Sequence, residues 1–253
     1  MIYQYSTTLP PYLAGSALPG DFNILGSILN DSENNPANID FVAERSGLIL
    51  SAFPDAAINA AIKAKNPLCK VLWFINPYFA TGDELWAATT QELQDAMVAS
   101  YGIHHNNGTP TVYSGPTYPG LEVGQTLPMM DPTNEAWQDY LAAQIKKYVN
   151  LCNFDGVFLD TMTDDIPFFA LGPNQEFPDG YSEEAWKHGS RELLAKIMRD
   201  ADTDGKLVFH NGITRTPTSG HTQYPNHIMM MMSHGTTLES YAIGSDFYAD
   251  DTH

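Results

Sequence analysis

Two carboxylates stand where a pair of acids could do chemistry. Asp160 closes the segment Phe154-Asp155-Gly156-Val157-Phe158-Leu159-Asp160, in which an Asp-Gly turn opens a short run of large apolar residues. The run is too short for a helix and apolar throughout, the pattern of a strand buried on both faces. A carboxylate at the C-terminal end of such a strand sits where parallel α/β folds place their reactive groups. Glu239 lies in Thr236-Thr237-Leu238-Glu239-Ser240-Tyr241, at or near the end of another strand. Glycoside hydrolysis needs a pair of this kind: one carboxyl gives a proton to the leaving oxygen, and the other attacks the anomeric carbon or activates water. The bland reading of Asp160 is a cap or loop-ordering group. For Glu239 that reading is stronger, because its strand is less well defined.

Other polar and aromatic residues gather at the same strand ends. Asn76 and Tyr78 follow the third strand, and Asp164 and Asp165 follow the strand that ends at Asp160. His210-Asn211-Gly212 ends the fifth strand, and Tyr241 follows Glu239. Carboxylates and amides here suit sugar hydroxyls, and aromatic rings suit the apolar faces of sugars. Tyr113, Tyr118, Phe168 and Phe169 on the long loops could stack in the same way. Each of these also reads as loop packing, turn formation or a solvated surface group. Asp155 reads as the residue that orders the turn before its strand. Trp137 and Trp186, on helices, read as core.

The elements that must position these groups alternate along the chain. Strands are predicted over 24–29, 47–53, 71–75, 156–160, 206–210 and 236–241. Helices are predicted over 54–65, with Pro54 at the start, and over 83–101, from about 131 to 150, and over 181–202. Long loops rich in Gly, Pro and aromatics follow the third strand's helix (102 to about 130) and the fourth strand (163–180), and an irregular stretch spans 214–227. Strands separated by helices over the whole length predict a parallel sheet with helical crossovers. Long loops after the strands and short ones before them favour a barrel with one elaborated face. The predicted fold is therefore α/β, a (β/α)8 TIM-barrel-like sheet, with an N-terminal arm over 1–22 and the barrel over 23–253. About six strands are visible where a closed barrel has eight; either two strands lie within segments read as loops or, the preferred reading, the barrel is incomplete at its C-terminal end, with two open sheet edges.

Composition narrows the function. Thirty acidic residues against twelve basic ones give a net charge of −18, which disfavours nucleic acid as a partner because phosphate binding needs clustered Lys and Arg. The acidity reads as solubility or a saline habitat, or more sharply as attraction for a cationic substrate such as an amino-sugar polymer. No stretch reaches the length of a membrane span. Met1-Ile2-Tyr3-Gln4-Tyr5 lacks the basic and apolar regions of a signal peptide, so the chain names no compartment, and action outside the cell is compatible with it. Cys69 and Cys152 read as buried free thiols. No Gly-x-Gly-x-x-Gly follows the first strand, and there is no Walker loop, His-Glu-x-x-His, Cys-x-x-Cys or Gly-x-Ser-x-Gly. His104, His105, His221, His227 and His234 lack ligand spacing. No metal and no cofactor is expected.

Taken in order, the motifs resemble a known pattern. Asp131-Pro132-Thr133-Asn134-Glu135-Ala136-Trp137-Gln138-Asp139-Tyr140 is similar to the Asp-x-x-Asn-Pro-x-x-Arg-x-Tyr helix start of glycosidase-like TIM barrels, with Glu135 in place of Pro and Gln138 in place of Arg. The Phe154–Asp160 segment follows at the expected distance, and then come 206–212, ending in Asn-Gly, and 235–241, containing Leu-Glu. This order, over roughly 23–245, resembles glycosyl hydrolase families related to endo-α-1,4-polygalactosaminidases and, more distantly, to α-amylase-type barrels. The resemblance implies a TIM barrel hydrolysing a polysaccharide or oligosaccharide, with Asp160 as nucleophile or base and Glu239 as acid. Two alternatives stand beside it. One is a non-catalytic carbohydrate-binding or structural barrel module of an oligomer or larger assembly. The other is a metal-dependent hydrolase using Asp164, Asp165 and nearby histidines.

Overall fold

The structure is a computed structural model that describes residues 28–29, 39–40, 43–44, 46–52, 54–79, 91–113, 127–162, 181–210 and 232–236. The strands are β1 (Ile28–Leu29), β2 (Leu48–Ser51), β3 (Lys70–Ile75), β4 (Val112–Tyr113), β5 (Leu127–Pro128), β6 (Gly156–Leu159), β7 (Leu207–His210) and β8 (Gly235–Thr236). The helices are α1 (Ala56–Lys65), α2 (Gln91–Tyr101), α3 (Glu135–Leu151) and α4 (Glu183–Asp204). Six strands form one sheet in the order β1-β2-β3-β6-β7-β8. The β1/β2, β2/β3 and β7/β8 pairs are parallel, with Leu48 opposite Lys70 and His210 opposite Thr236. Sequential parallel strands joined through helices make this an α/β, barrel-like fold. Among the described residues the sheet is open, with β1 and β8 at its edges.

The predicted elements are present where the chain is described, with informative shifts at their ends; residue 53 of the second strand and 83–90 of the second helix lie outside the described residues. The helix expected from Pro54 begins at Ala56, because Asp55 is its N-cap and accepts from Ala57 N (2.7 Å) and Ile58 N (3.2 Å). The helix expected over 181–202 runs to Asp204, capped by Ser182 at its start. Residues 39–40 and 43–44 are helical, in a stretch where no element was expected. The segment expected to be loop from 102 to about 130 holds the antiparallel pair β4/β5. The described parts of the first and last sheet strands are Ile28–Leu29 and Gly235–Thr236; the rest of 24–29 and 236–241, the arm over 1–22, and the loops over 163–180 and 214–227 lie outside the described residues.

Two helices end in the same way, and each delivers the chain to a strand. After α3, Asn153 takes a left-handed conformation (φ 56), Phe154 N donates to Val149 O (2.9 Å) and Asn153 N to Asn150 O (3.3 Å). After α4, Gly205 is left-handed (φ 65), Lys206 N donates to Ala201 O (2.8 Å) and Gly205 N to Asp202 O (3.2 Å). Both are Schellman motifs, which satisfy the last carbonyls and turn the chain sharply. β6 begins three residues after Asn153, and β7 two residues after Gly205.

The chain divides into two compact units, Met1–Phe74 with Tyr148–Gly156, and Ile75–Lys147 with Val157–His253. In the first, Trp73 is fully buried, donates to Ala52 O (3.3 Å) and faces Tyr148 and Phe154. Cys69 and Cys152 are buried and free. Burial pushes the Cys69 thiol up to about 11 and raises that of Cys152, so both are small neutral hydrophobes at neutral pH. Asp155, expected to order its turn, also joins three elements. Its carboxylate accepts from Val71 N (2.8 Å), pairs with Lys63 of α1 (2.5 Å) and lies 3.5 Å from Lys70, while Asp155 N donates to Val71 O (2.9 Å).

In the second unit, β8 is held to β7 by His234. Its N–H donates to Val208 O, its Nδ1 accepts from Val208 N (both 3.0 Å), and its Nε2 lies 3.1 Å from Asp202. This arrangement assigns the imidazole proton to Nε2.

Removing the Asp155 carboxylate leaves the buried Val71 N–H without that acceptor and Lys63 without its anion. Asp155→Ala is expected to lower the unfolding free energy by roughly 1–3 kcal/mol, seen as a fall in the urea midpoint. An unchanged midpoint contradicts the role.

Candidate active site at the strand ends

The candidate site is built where β3 and β6 end, within the second unit. The four residues of β6 are all buried, and the chain emerges from them at Asp160, which is partly accessible. Asp160 N donates to Ile75 O at 2.7 Å, continuing the pairing one residue beyond the strand. Thr161 then takes the left-handed conformation (φ 59). For a β-branched residue this is an outlier and costs about 1–2 kcal/mol. Strain of this kind concentrates at functional sites, where the surroundings must hold it in place. Asn76 meets Thr161: its Nδ2 donates to Thr161 Oγ1 at 3.2 Å.

Asn76 is itself fixed. Only 2% exposed, it accepts from Tyr78 N at 2.9 Å, closing a tight turn after β3. Tyr78 is fully buried, with its ring 4.6 Å from that of Trp186. Pro77 O accepts from Trp137 Nε1 (3.3 Å), and Tyr78 O from Met130 N (2.8 Å). Trp137 and Trp186 are core residues, as their helical positions predicted.

The Asp131–Tyr140 motif is the brace behind this turn. Asn134 caps α3, accepting from Ala136 N (3.0 Å) and Trp137 N (3.3 Å). Asp131 Oδ1 accepts from Thr133 N (2.8 Å), Thr133 Oγ1 (2.7 Å) and the Tyr181 hydroxyl (2.8 Å). Burial and the Asp131 charge push the Tyr181 hydroxyl far up, so it remains a donor. Gln138, where the resembled pattern has Arg, donates to Pro132 O (2.7 Å) and ties the helix to its own lead-in. α4 meets this turn at Gly189, where a Cβ would lie 2.6 Å from Pro132 C and O and Thr133 N. Gly189 is required by close approach rather than by backbone conformation.

Of the other predicted site residues, His210 is described: it is fully buried at the end of β7. Glu239, Asp164, Asp165, Asn211 and Tyr241 lie outside the described residues. The structure thus brings Asp160 and Asn76 together through Thr161, and places Tyr78 in packed core. Thr161 and Gly189 were not singled out in the sequence. A glycine inside a helical pattern was the available signal for Gly189; a threonine after a strand carries none. Among the described residues no group of three or more His, Cys, Asp or Glu side chains could hold a metal ion, and no helix is long and apolar enough to cross a membrane.

A family model described as "Domain of unknown function (DUF6259)" matches residues 58–214. No curated protein matches the chain. Among solved structures, it is similar to an α-galactosidase from Thermus thermophilus in complex with p-nitrophenyl α-D-galactopyranoside (16% identity, 69% of this chain and 33% of that chain, TM-score 0.45). It is also similar to a cycloalternan-degrading enzyme from Trueperella pyogenes (15%, 79% and 34%, 0.48). A third is a GH18 chitinase from Cycas revoluta in complex with (GlcNAc)3 (14%, 83% and 52%, 0.45). The chain spans about a third to a half of the length of these structures.

Gly189→Ala forces backbone against backbone and is expected to cost roughly 1–3 kcal/mol, read as a lower melting temperature. Thermal stability equal to that of the starting protein contradicts the close contact.

Proposed function

We propose that this chain, which belongs to the DUF6259 family, is a glycoside hydrolase acting on a polysaccharide or oligosaccharide by a two-carboxylate mechanism. The observation that carries the reading is Asp160. It is a partly accessible carboxylate at the C-terminal end of a fully buried parallel strand, beside a strained Thr161 and a buried Asn76. Side chains at such strand ends are where (β/α) folds carry out their chemistry.

In this proposal Asp160 is the nucleophile or base and Glu239 the acid. A sugar bound across the strand ends is gripped at its hydroxyls by Asp164, Asp165, Asn211 and Tyr241. Asn76 and His210 lie beneath it, and Tyr78 backs Asn76 from the packed core. As the reaction proceeds, positive charge grows on the ring, and the Asp160 carboxylate stabilises it. Glu239 protonates the departing oxygen as its bond to the anomeric carbon breaks. With Asp160 as nucleophile, Asp160 bonds that carbon and Glu239 then takes a proton from the water that displaces it. With Asp160 as base, water attacks the carbon directly and gives its proton to Asp160. The catalytic domain extends over 23–253 behind an arm over 1–22. No metal or cofactor takes part.

The test is hydrolysis of a panel of α- and β-linked oligosaccharides, amino-sugar polymers included, by the starting protein and by Asp160→Asn and Glu239→Gln. Each substitution is expected to lower kcat by roughly 10²–10⁴-fold with an unchanged melting temperature. Full turnover by folded Asp160→Asn ends the proposal. Glycan binding without hydrolysis by the starting protein, surviving both replacements, points instead to a binding module.

A further inference from the structure

Asp160 is held on both sides of its Cα by two consecutive residues at the end of β3. On the N-terminal side, its own N–H donates to Ile75 O (2.7 Å). On the C-terminal side, Thr161 is left-handed, and its hydroxyl receives the Asn76 amide (3.2 Å). The other end of the Asn76 amide accepts from Tyr78 N, and the side chain is almost wholly buried. That geometry suits an orienting group better than one that reaches out to a ligand. A left-handed threonine is not a conformation the residue adopts unaided, so its persistence requires a partner.

From this we infer that Asn76 and Thr161 are positioning residues. The Asn76–Thr161 hydrogen bond fixes the backbone after Asp160 and thereby sets the direction of the Asp160 carboxylate toward the substrate. The inference rests on the proposed role of Asp160 for its catalytic consequence, while the orientation itself is independent of that role. The threonine hydroxyl is the working part: it offers Asn76 an acceptor on a residue whose backbone must be left-handed. A glycine would take that backbone without strain but would leave the amide unmet.

Three substitutions separate orientation from bulk stability. Thr161→Val removes the hydroxyl and keeps the shape, Thr161→Gly removes both the hydroxyl and the strain, and Thr161→Ser keeps the hydroxyl. On a glycan that the starting protein hydrolyses, Thr161→Val and Thr161→Gly are expected to lower kcat by roughly 10–100-fold with little change in KM. Thr161→Ser restores most of the rate. Thr161→Gly loses this rate even where its melting temperature equals or exceeds that of the starting protein. Folded Thr161→Val and Thr161→Gly proteins that keep the starting kcat overturn the inference.

A second readout needs no turnover. The Asp160 carboxyl carbon, followed by NMR through a pH titration, is expected to move in shift and midpoint in Thr161→Val and Thr161→Gly but not in Thr161→Ser. An identical titration in all four proteins overturns the inference. A starting protein that hydrolyses no glycan counts against the proposed function alone, and the carboxyl titration then decides the positioning role.

Discussion

The pairing between the ends of β3 and β6 is the constraint on which the candidate site depends. β6 is four residues long and wholly buried, so its side chains offer no polar handle by which the next residue could be aimed. Direction comes instead from the backbone bond between Asp160 and Ile75 and from the amide of Asn76 on Thr161. Both depend on the turn at 76–78 keeping its shape. The surrounding packing reads as support for that turn. Trp137 holds Pro77, Met130 holds Tyr78, and Trp186 backs the Tyr78 ring. The glycine at 189 lets α4 come close to the lead-in of α3, and Asp131 gathers Thr133 and Tyr181 at the same place.

The two aspartates that bracket β6 illustrate how environment divides one chemistry into two roles. Asp155 is engaged by a backbone N–H and by Lys63, with Lys70 nearby, and its work is to fix where the strand begins. Asp160 stands at the other end, partly open, with its backbone N–H on Ile75 O. A carboxylate already spent on two cations is poorly suited to a reacting centre, which leaves the partly accessible Asp160 as the candidate of the two.

Much of this frame could be read in the chain. The apolar run before Asp160, too short for a helix, could only be a buried strand, and alternation with helical patterns pointed to parallel pairing. Trp137 and Trp186 were legible as core from their helical positions. Capping at Asp55 was missed because Pro54 is itself a good opening residue, and the choice between neighbours turned on a side-chain acceptor that Pro54 lacks. The β4/β5 pair was missed because two-residue strands carry no periodicity. The left-handed Thr161 was not legible at all, since a β-branched residue disfavours that conformation and only tertiary contact selects it. Asn76 read as a hydroxyl-binding group because residue type does not say which way an amide is engaged. Tyr78 read as a wall aromatic because sequence alone does not separate ring stacking on a sugar from ring packing on Trp186.

The most direct measurement is the separation of the Asp160 and Glu239 carboxyl groups in an experimental structure of the chain. The account predicts both lining one open cleft at about 5–10 Å, with the short end marking retention of anomeric configuration and the long end inversion. A separation well beyond this range, or Glu239 directed away from the cleft that Asp160 enters, contradicts the two-carboxylate mechanism.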